Sequence, residues 1–131
     1  MNSIIADNFR AWDLARDDCY TVNAATPFFS HGHNLFSSSS GCTITYPTPQ
    51  QQTDLFSIQP GLLPPASFGG PTRVVELTQT SPALDRAPCL DWNAAAVRED
   101  QRGASRPKGP ACDSGAFERS PYDYYFPVAR R

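Results

Sequence analysis

The chain has 131 residues, 40% of them hydrophobic and only 18% charged, with 13 prolines, 8 glycines and a formal net charge of −2. That length suits one domain able to bury roughly two thirds of its unfolded surface. The arginines are scattered among acids, which argues against nucleic acid as a partner; the prolines exclude long helices, and the short apolar runs exclude a membrane span.

In chain order, residues 2–8 (NSIIADN) are short, β-branched and flanked by Asn, and read as a strand between turns. They follow Met1 without the basic start or apolar stretch of a signal peptide, so the segment reads as the trimmed end of a longer parent. In 9–18 (FRAWDLARDD), Phe9, Trp12 and Leu14 keep no clean helical period, and a helical turn or a loop both remain open. CYTV (19–22) predicts a second short strand, and NAATPFFS (23–30) a connection because of its proline. HGHNLFS (31–37), CTITY (42–46) and DLFSI (54–58) are the next strand candidates, separated by the serine run 37–40 and by PTPQQQT (47–53) as loops. The two leucines of PGLLPP (60–65) are expected to plug an apolar gap. RVVEL (73–77) predicts a strand with Val75 and Leu77 on one face and Val74 on the other.

Beyond Leu77 the chain turns irregular, rich in Arg, Asp and Pro. Within it, 92–100 (WNAAAVRED) could make one helical turn, and 114–118 (SGAFE) predicts a last short strand before an aromatic tail, 119–131. Strand candidates recur roughly every 10 to 25 residues without long helices between them, which suits an antiparallel sandwich or a parallel β-helix. Asn2, Asn8 and Asn34 at strand ends fit the left-handed corners of a β-helix.

The four cysteines, Cys19, Cys42, Cys89 and Cys112, form no CxxC pair, so zinc is the weaker reading and two disulfides in an oxidising compartment the better one. Of the three possible pairings, Cys19–Cys42 and Cys89–Cys112 each bracket one local unit and are the expected bridges.

Several residues could carry chemistry. Asp100, Arg102, Arg106, Asp113 and Glu118 would suit a carbohydrate or anion site; they equally suit a clamp in which the arginines tie carboxylates and carbonyls over a Gly/Pro loop, which is the favoured expectation. His31 and His33 share a face if extended, but no third metal ligand is near in sequence. Asp7, Asp17 and Asp18 with Arg10 and Arg16 could line a polysaccharide-cleaving groove, although Asp also suits turns and Lys108 is the one lysine. A calcium site of Asp and backbone oxygens lacks a DxDxDG loop, and Ser37 to Ser40 lack the GxSxG frame of a nucleophile. No catalytic residue and no cofactor are therefore expected, with calcium the ion kept as an exception. Tyr122, Tyr124, Tyr125 and Phe126 either pack back on the clamp or offer a sticky patch.

Five stretches taken together, NSIIADN, GHNLF, TDLFSIQPGLLP, GGPTRVVELTQTSPALD and DQRGASRPKGPACDSGAFE, resemble the C-terminal part of bacterial secreted right-handed parallel β-helix proteins of the choice-of-anchor Q group, which often occur with CSLREA-type domains. The resemblance spans about residues 2–118 and is carried mainly by GGPT, SPALD, DQRG, RP and CD-x-GAFE in that order; Ser114 replaces the apolar residue usual before GAFE, and Phe68 stands where a small polar residue is common before the glycines. It implies an all-β fold: β-helix coils over 1–77, a disulfide-stapled C-terminal cap over 78–118, and the tail 119–131. It further implies a structural or adhesive module of an extracellular or cell-surface protein, a possible homo-oligomer or filament, with other protein chains or extracellular polysaccharide as partners. The alternative is a fragment of a carbohydrate-active β-helix enzyme.

Overall fold

The computed structural model describes residues 1–11, 13–20 and 26–120. It is all-β with parallel pairing: β1 (Ile4–Ile5), β3 (Leu35–Phe36) and β5 (Leu55–Phe56) form a sheet in the order β1-β3-β5, and β2 (Phe28–Phe29) pairs with β4 (Ile44–Thr45). The registers Ile4↔Leu35↔Leu55 and Ile5↔Phe36↔Phe56 put like residues in columns, one on each face of the sheet. Two strands of two residues cannot stand alone in water, so these columns must be covered on both sides. Phe36 stacks on Phe56 at 5.3 Å and meets Phe28 of β2 edge-on at 6.1 Å, which covers one face. On the other, Leu35 with Ile4 and Leu55 packs against Leu62, Leu77, Ala83 and Leu84. The C-terminal half is thus the second layer of the core. Its residues also reach the start of each strand of the β1-β3-β5 sheet: Pro88 and Leu90 carbonyls accept from the Asn2 side chain, the Arg86 carbonyl lies 3.1 Å from His33 Nδ1, and Arg86 donates to the Thr53 carbonyl at 3.4 Å.

Sharp corners flank the strands. Asn2 takes a left-handed backbone (φ 59°), as its residue type predicts, but Asn8 and Asn34 do not; Asp7, His33 and Ser57 turn the corners instead. The reason is visible at Asn34. Its Oδ1 accepts from Ser3 N–H and its Nδ2 donates to Ser30 Oγ and Asp54, so the side chain stitches adjacent strands while His33 makes the bend.

Other local expectations are corrected. The segment 23–30 is not only a connection, because Phe28 and Phe29 form β2 directly after Pro27, a position that needs no ladder N–H. Cys19 and Tyr20 form no strand, and Thr21 and Val22 lie outside the described residues. Of the two readings left open for 9–18, the described residues 9–11 and 13–18 take the loop: Phe9 and Arg16 bridge antiparallel, and Leu14 bends with φ 54°. The loop 47–53 holds a 3₁₀ turn at Pro49–Gln51. RVVEL folds back on 62–66 through isolated bridges, Ala66↔Val74 and Leu62↔Leu77, and buries Val74, Glu76 and Leu77 while Val75 is half-buried. Of the two leucines in 60–65, Leu62 joins the core and Leu63 stays exposed. No helix forms at 92–100, where the Asp91 carboxylate closes a turn by accepting from Asn93 and Ala95 N–H. Residues 114–118 form no strand; their backbone groups bond instead to Ala83, Asn2, Gln101 and Asp100. Among the described residues no helix is long and apolar enough to cross a membrane.

Candidate functional site

An irregular chain leaves backbone donors and acceptors without a ladder, and buried ones must find partners elsewhere. In residues 100–119 charged side chains supply them. Arg102 and Asp100 form a buried pair at 2.6 Å, and the same guanidinium donates to the Glu118 carbonyl at 2.7 Å. The Asp100 carboxylate also accepts from the N–H groups of Arg102, Ala104 and Glu118. Arg106 donates to the carbonyls of Asp113 (3.1 Å) and Gly115 (2.7 Å), with its Nε 3.6 Å from Glu118. Glu118 accepts from Lys108 and Asp113 N–H, and Asp113 from Asp85 and Arg119 N–H. All five expected residues therefore meet in one network, although the Asp113 carboxylate takes backbone donors and no arginine side chain.

Packing locks this network. Arg102 lies 3.6 Å above the Phe117 ring, and Phe117 meets Phe68 edge-on at 5.3 Å, so the aromatic that departs from the motif of the resemblance has a partner. Gly70 touches the Arg102 backbone so closely that an added Cβ would sit 2.8 Å from its Cα. The Gln101 side chain donates to Thr72 at 2.6 Å, which joins the GGPT and DQRG stretches. Ser114, the other departure, is buried and donates to the His33 carbonyl at 3.0 Å. Cys89 and Cys112 are bonded across a Cα–Cα distance of 5.2 Å, and Cys19 and Cys42 across 5.4 Å.

The electrostatics separate the two aspartates. Burial works to raise Asp100, but the Arg102 side chain and the three N–H donors outweigh it and hold its pKa below the ordinary carboxylate value. Asp113 is pushed up, first by burial and then by the neighbouring charges of Glu118 and Asp85, against its two backbone donors. The Asp100 carboxylate accepts five hydrogen bonds from the protein and the Asp113 carboxylate two.

The other candidates are dispersed. Gly32 and His33 take left-handed backbones, so 31–33 is a turn and the two imidazoles do not share a strand face: His31 contacts Gln51 Nε2 and His33 the Arg86 carbonyl. Asp18 ties Ser37, Ser38 and Asn8, and these bonds, against burial, lower its pKa, the wrong direction for a general acid. Asp7 pairs with Arg16 at 3.5 Å on the surface, and Arg10 with Asp13 at 2.8 Å. Among the described residues no group of three or more His, Cys, Asp or Glu side chains could hold a metal. The aromatic tail from Tyr122 onward lies outside the described residues.

Sequence reasoning missed Arg119, which donates to Glu76 at 2.7 Å and to the Leu77 carbonyl at 2.6 Å. A glutamate inside the apolar run RVVEL was the available signal, since a buried acid demands a cation. It also missed the Asp54 network, in which Ser30 donates at 2.6 Å and Tyr46 at 3.1 Å, and where burial and the Asp54 charge push the Tyr46 hydroxyl up to about 12. Comparison with protein-family models, curated proteins and solved structures finds no match for this chain.

Proposed function

We propose that the chain is a structural or adhesive module of an extracellular protein, built as a short right-handed parallel β-helix of the choice-of-anchor Q type with a stapled C-terminal cap. One observation carries this reading: the arginines and carboxylates of 100–119 are spent on the protein's own backbone. Arg102, Arg106 and Arg119 each donate to main-chain carbonyls, and Asp100, Asp113 and Glu118 each accept main-chain N–H groups. Parallel strands returning to one sheet at Ile4, Leu35 and Leu55 support the coil architecture. Two disulfides suit an oxidising compartment.

The test is Arg102→Ala, assayed by melting temperature and by release of reducing ends from a panel of plant and bacterial polysaccharides. A scaffold loses melting temperature and neither protein releases sugar. Unchanged melting together with cleavage that the substitution abolishes would establish the enzyme reading instead.

A further inference from the structure

A cleft of about 400 Å³ opens beside the cap, between Asn2 and residues 88–101, within the roughly 300–1,000 Å³ usual for ligand sites. Trp92 lines it and is 71% exposed. Tryptophan carries a large apolar surface that is ordinarily buried for most of its area. Here it is held in water on a rigid turn. The Asp91 carboxylate accepts Asn93 N–H at 2.8 Å and Ala95 N–H at 2.9 Å, Asp91 N–H donates to the Ala95 carbonyl at 2.8 Å, and Val97 N–H bonds to the carbonyl of disulfide-linked Cys89 at 2.9 Å.

The polar groups of the cleft wall differ from those of the cap. Asn2 is fixed through its Nδ2, which donates to Pro88 and Leu90, while its Oδ1 is buried with no partner. Glu99 also lines the cleft, is exposed, and makes no side-chain hydrogen bond or ion pair among the described residues. Arg106, the arginine in the wall, donates through its two terminal nitrogens to the Asp113 and Gly115 carbonyls, and its Nε is buried 3.6 Å from Glu118.

We propose that this cleft binds a neutral polysaccharide, with one pyranose ring laid on the Trp92 indole and its hydroxyls donating to the Glu99 carboxylate. A pyranose offers what the cleft lacks: an apolar C–H face for an exposed ring, and hydroxyl donors for a carboxylate that has none. An anionic uronate is disfavoured, because Asp91 and Glu99 present negative charge and the nearby Arg106 guanidinium already faces Glu118. The site rests on the scaffold reading only in that the cap holds the cleft walls in place; binding here needs no catalytic group.

The experiment is affinity electrophoresis of the intact, oxidised chain through gels containing β-glucan, galactan, mannan or xylan, with polygalacturonate as the anionic control. The expected result is retardation in at least one neutral gel. Trp92→Ala weakens it at least tenfold, Trp92→Phe keeps part of it, and Glu99→Gln weakens it several-fold, with melting temperatures unchanged because neither side chain is packed. Retardation in none of the four neutral gels, in polygalacturonate alone, or equally for parent and Trp92→Ala overturns the proposal. Arg102→Ala separates the two claims, since loss of melting temperature there supports the scaffold whatever the gels show.

Discussion

Residues 1–58 and residues 60–119 solve the same problem in different ways. The first region pairs short parallel strands, with Asp18, Asn34 and Asp54 side chains accepting N–H groups around them, and its apolar columns follow from the register. The second makes only isolated bridges, such as Ala87↔Cys112 and Glu99↔Ser105, and satisfies its backbone with carboxylates and guanidiniums. A ladder tolerates the loss of one side chain, because its hydrogen bonds belong to the main chain. A side-chain network does not, because each ion serves several backbone groups at once. Asp100 alone accepts from three N–H groups and one guanidinium.

The sharpest break in this contrast comes from paired truncations. Arg102→Ala strands the buried Asp100 carboxylate and should cost about 3–5 kcal/mol. Phe36→Ala, fully buried between Phe28 and Phe56, should cost a similar 3–5 kcal/mol by loss of packing. Urea titration measures both, and hydrogen exchange tells them apart: Arg102→Ala should deprotect the amides of 100–118 first, Phe36→Ala those of 28–58. Identical exchange patterns would mean that the two regions unfold as one unit.

Removing a disulfide sharpens the comparison next. Each bridge closes a sequence separation of 23 residues, so chain entropy assigns each about 3 kcal/mol. Cys89→Ser with Cys112→Ser should loosen 83–118, and Cys19→Ser with Cys42→Ser should leave that segment protected, as read by limited proteolysis. Gly70→Ala follows, at roughly 1–3 kcal/mol of overpacking against the Arg102 backbone; an unchanged melting temperature would show that the two loops do not touch.

Acid should act through Asp100. Its folded pKa lies below its ordinary value of 3.8, so its stabilisation is complete above that pH and disappears as pH falls through the folded pKa. Asp113 has the opposite sign: its raised pKa means that ionising it at higher pH opposes folding, and protonation relieves the strain as pH falls through the raised value. The destabilisation caused by Asp100→Asn should therefore shrink on acidification below 3.8, and carboxyl NMR titration should place Asp113 above Asp100. The smallest effect belongs to the surface of the first region. Arg16→Ala removes a half-exposed pair and should change stability by no more than about 0.5 kcal/mol in a thermal melt.

Short apolar pairs such as Ile4–Ile5 and Leu35–Phe36 announce themselves as strands, and the spacing of four cysteines announces two bridges over similar loops. Phe28–Phe29 hid behind Pro27, and RVVEL carries a strand pattern that the structure spends on a fold-back against 62–66. Asp100, Arg102, Arg106, Asp113 and Glu118 were legible as a group because Gly and Pro leave a loop needing support. Their individual partners were not legible, because an arginine can reach any carbonyl within its length.

The amino-acid sequence by itself determined that this chain is β-rich, helix-poor, doubly cross-linked and closed by a charged loop, since period-two apolar pairs, proline frequency and cysteine spacing are local facts. Only the tertiary structure decided that the loop half covers the outer face of the sheet, that Arg119 neutralises Glu76, and that Trp92 stays in water beside an unsatisfied Asn2 oxygen. Those outcomes depend on contacts between residues tens of positions apart, and local pattern carries no record of which distant groups a side chain will meet.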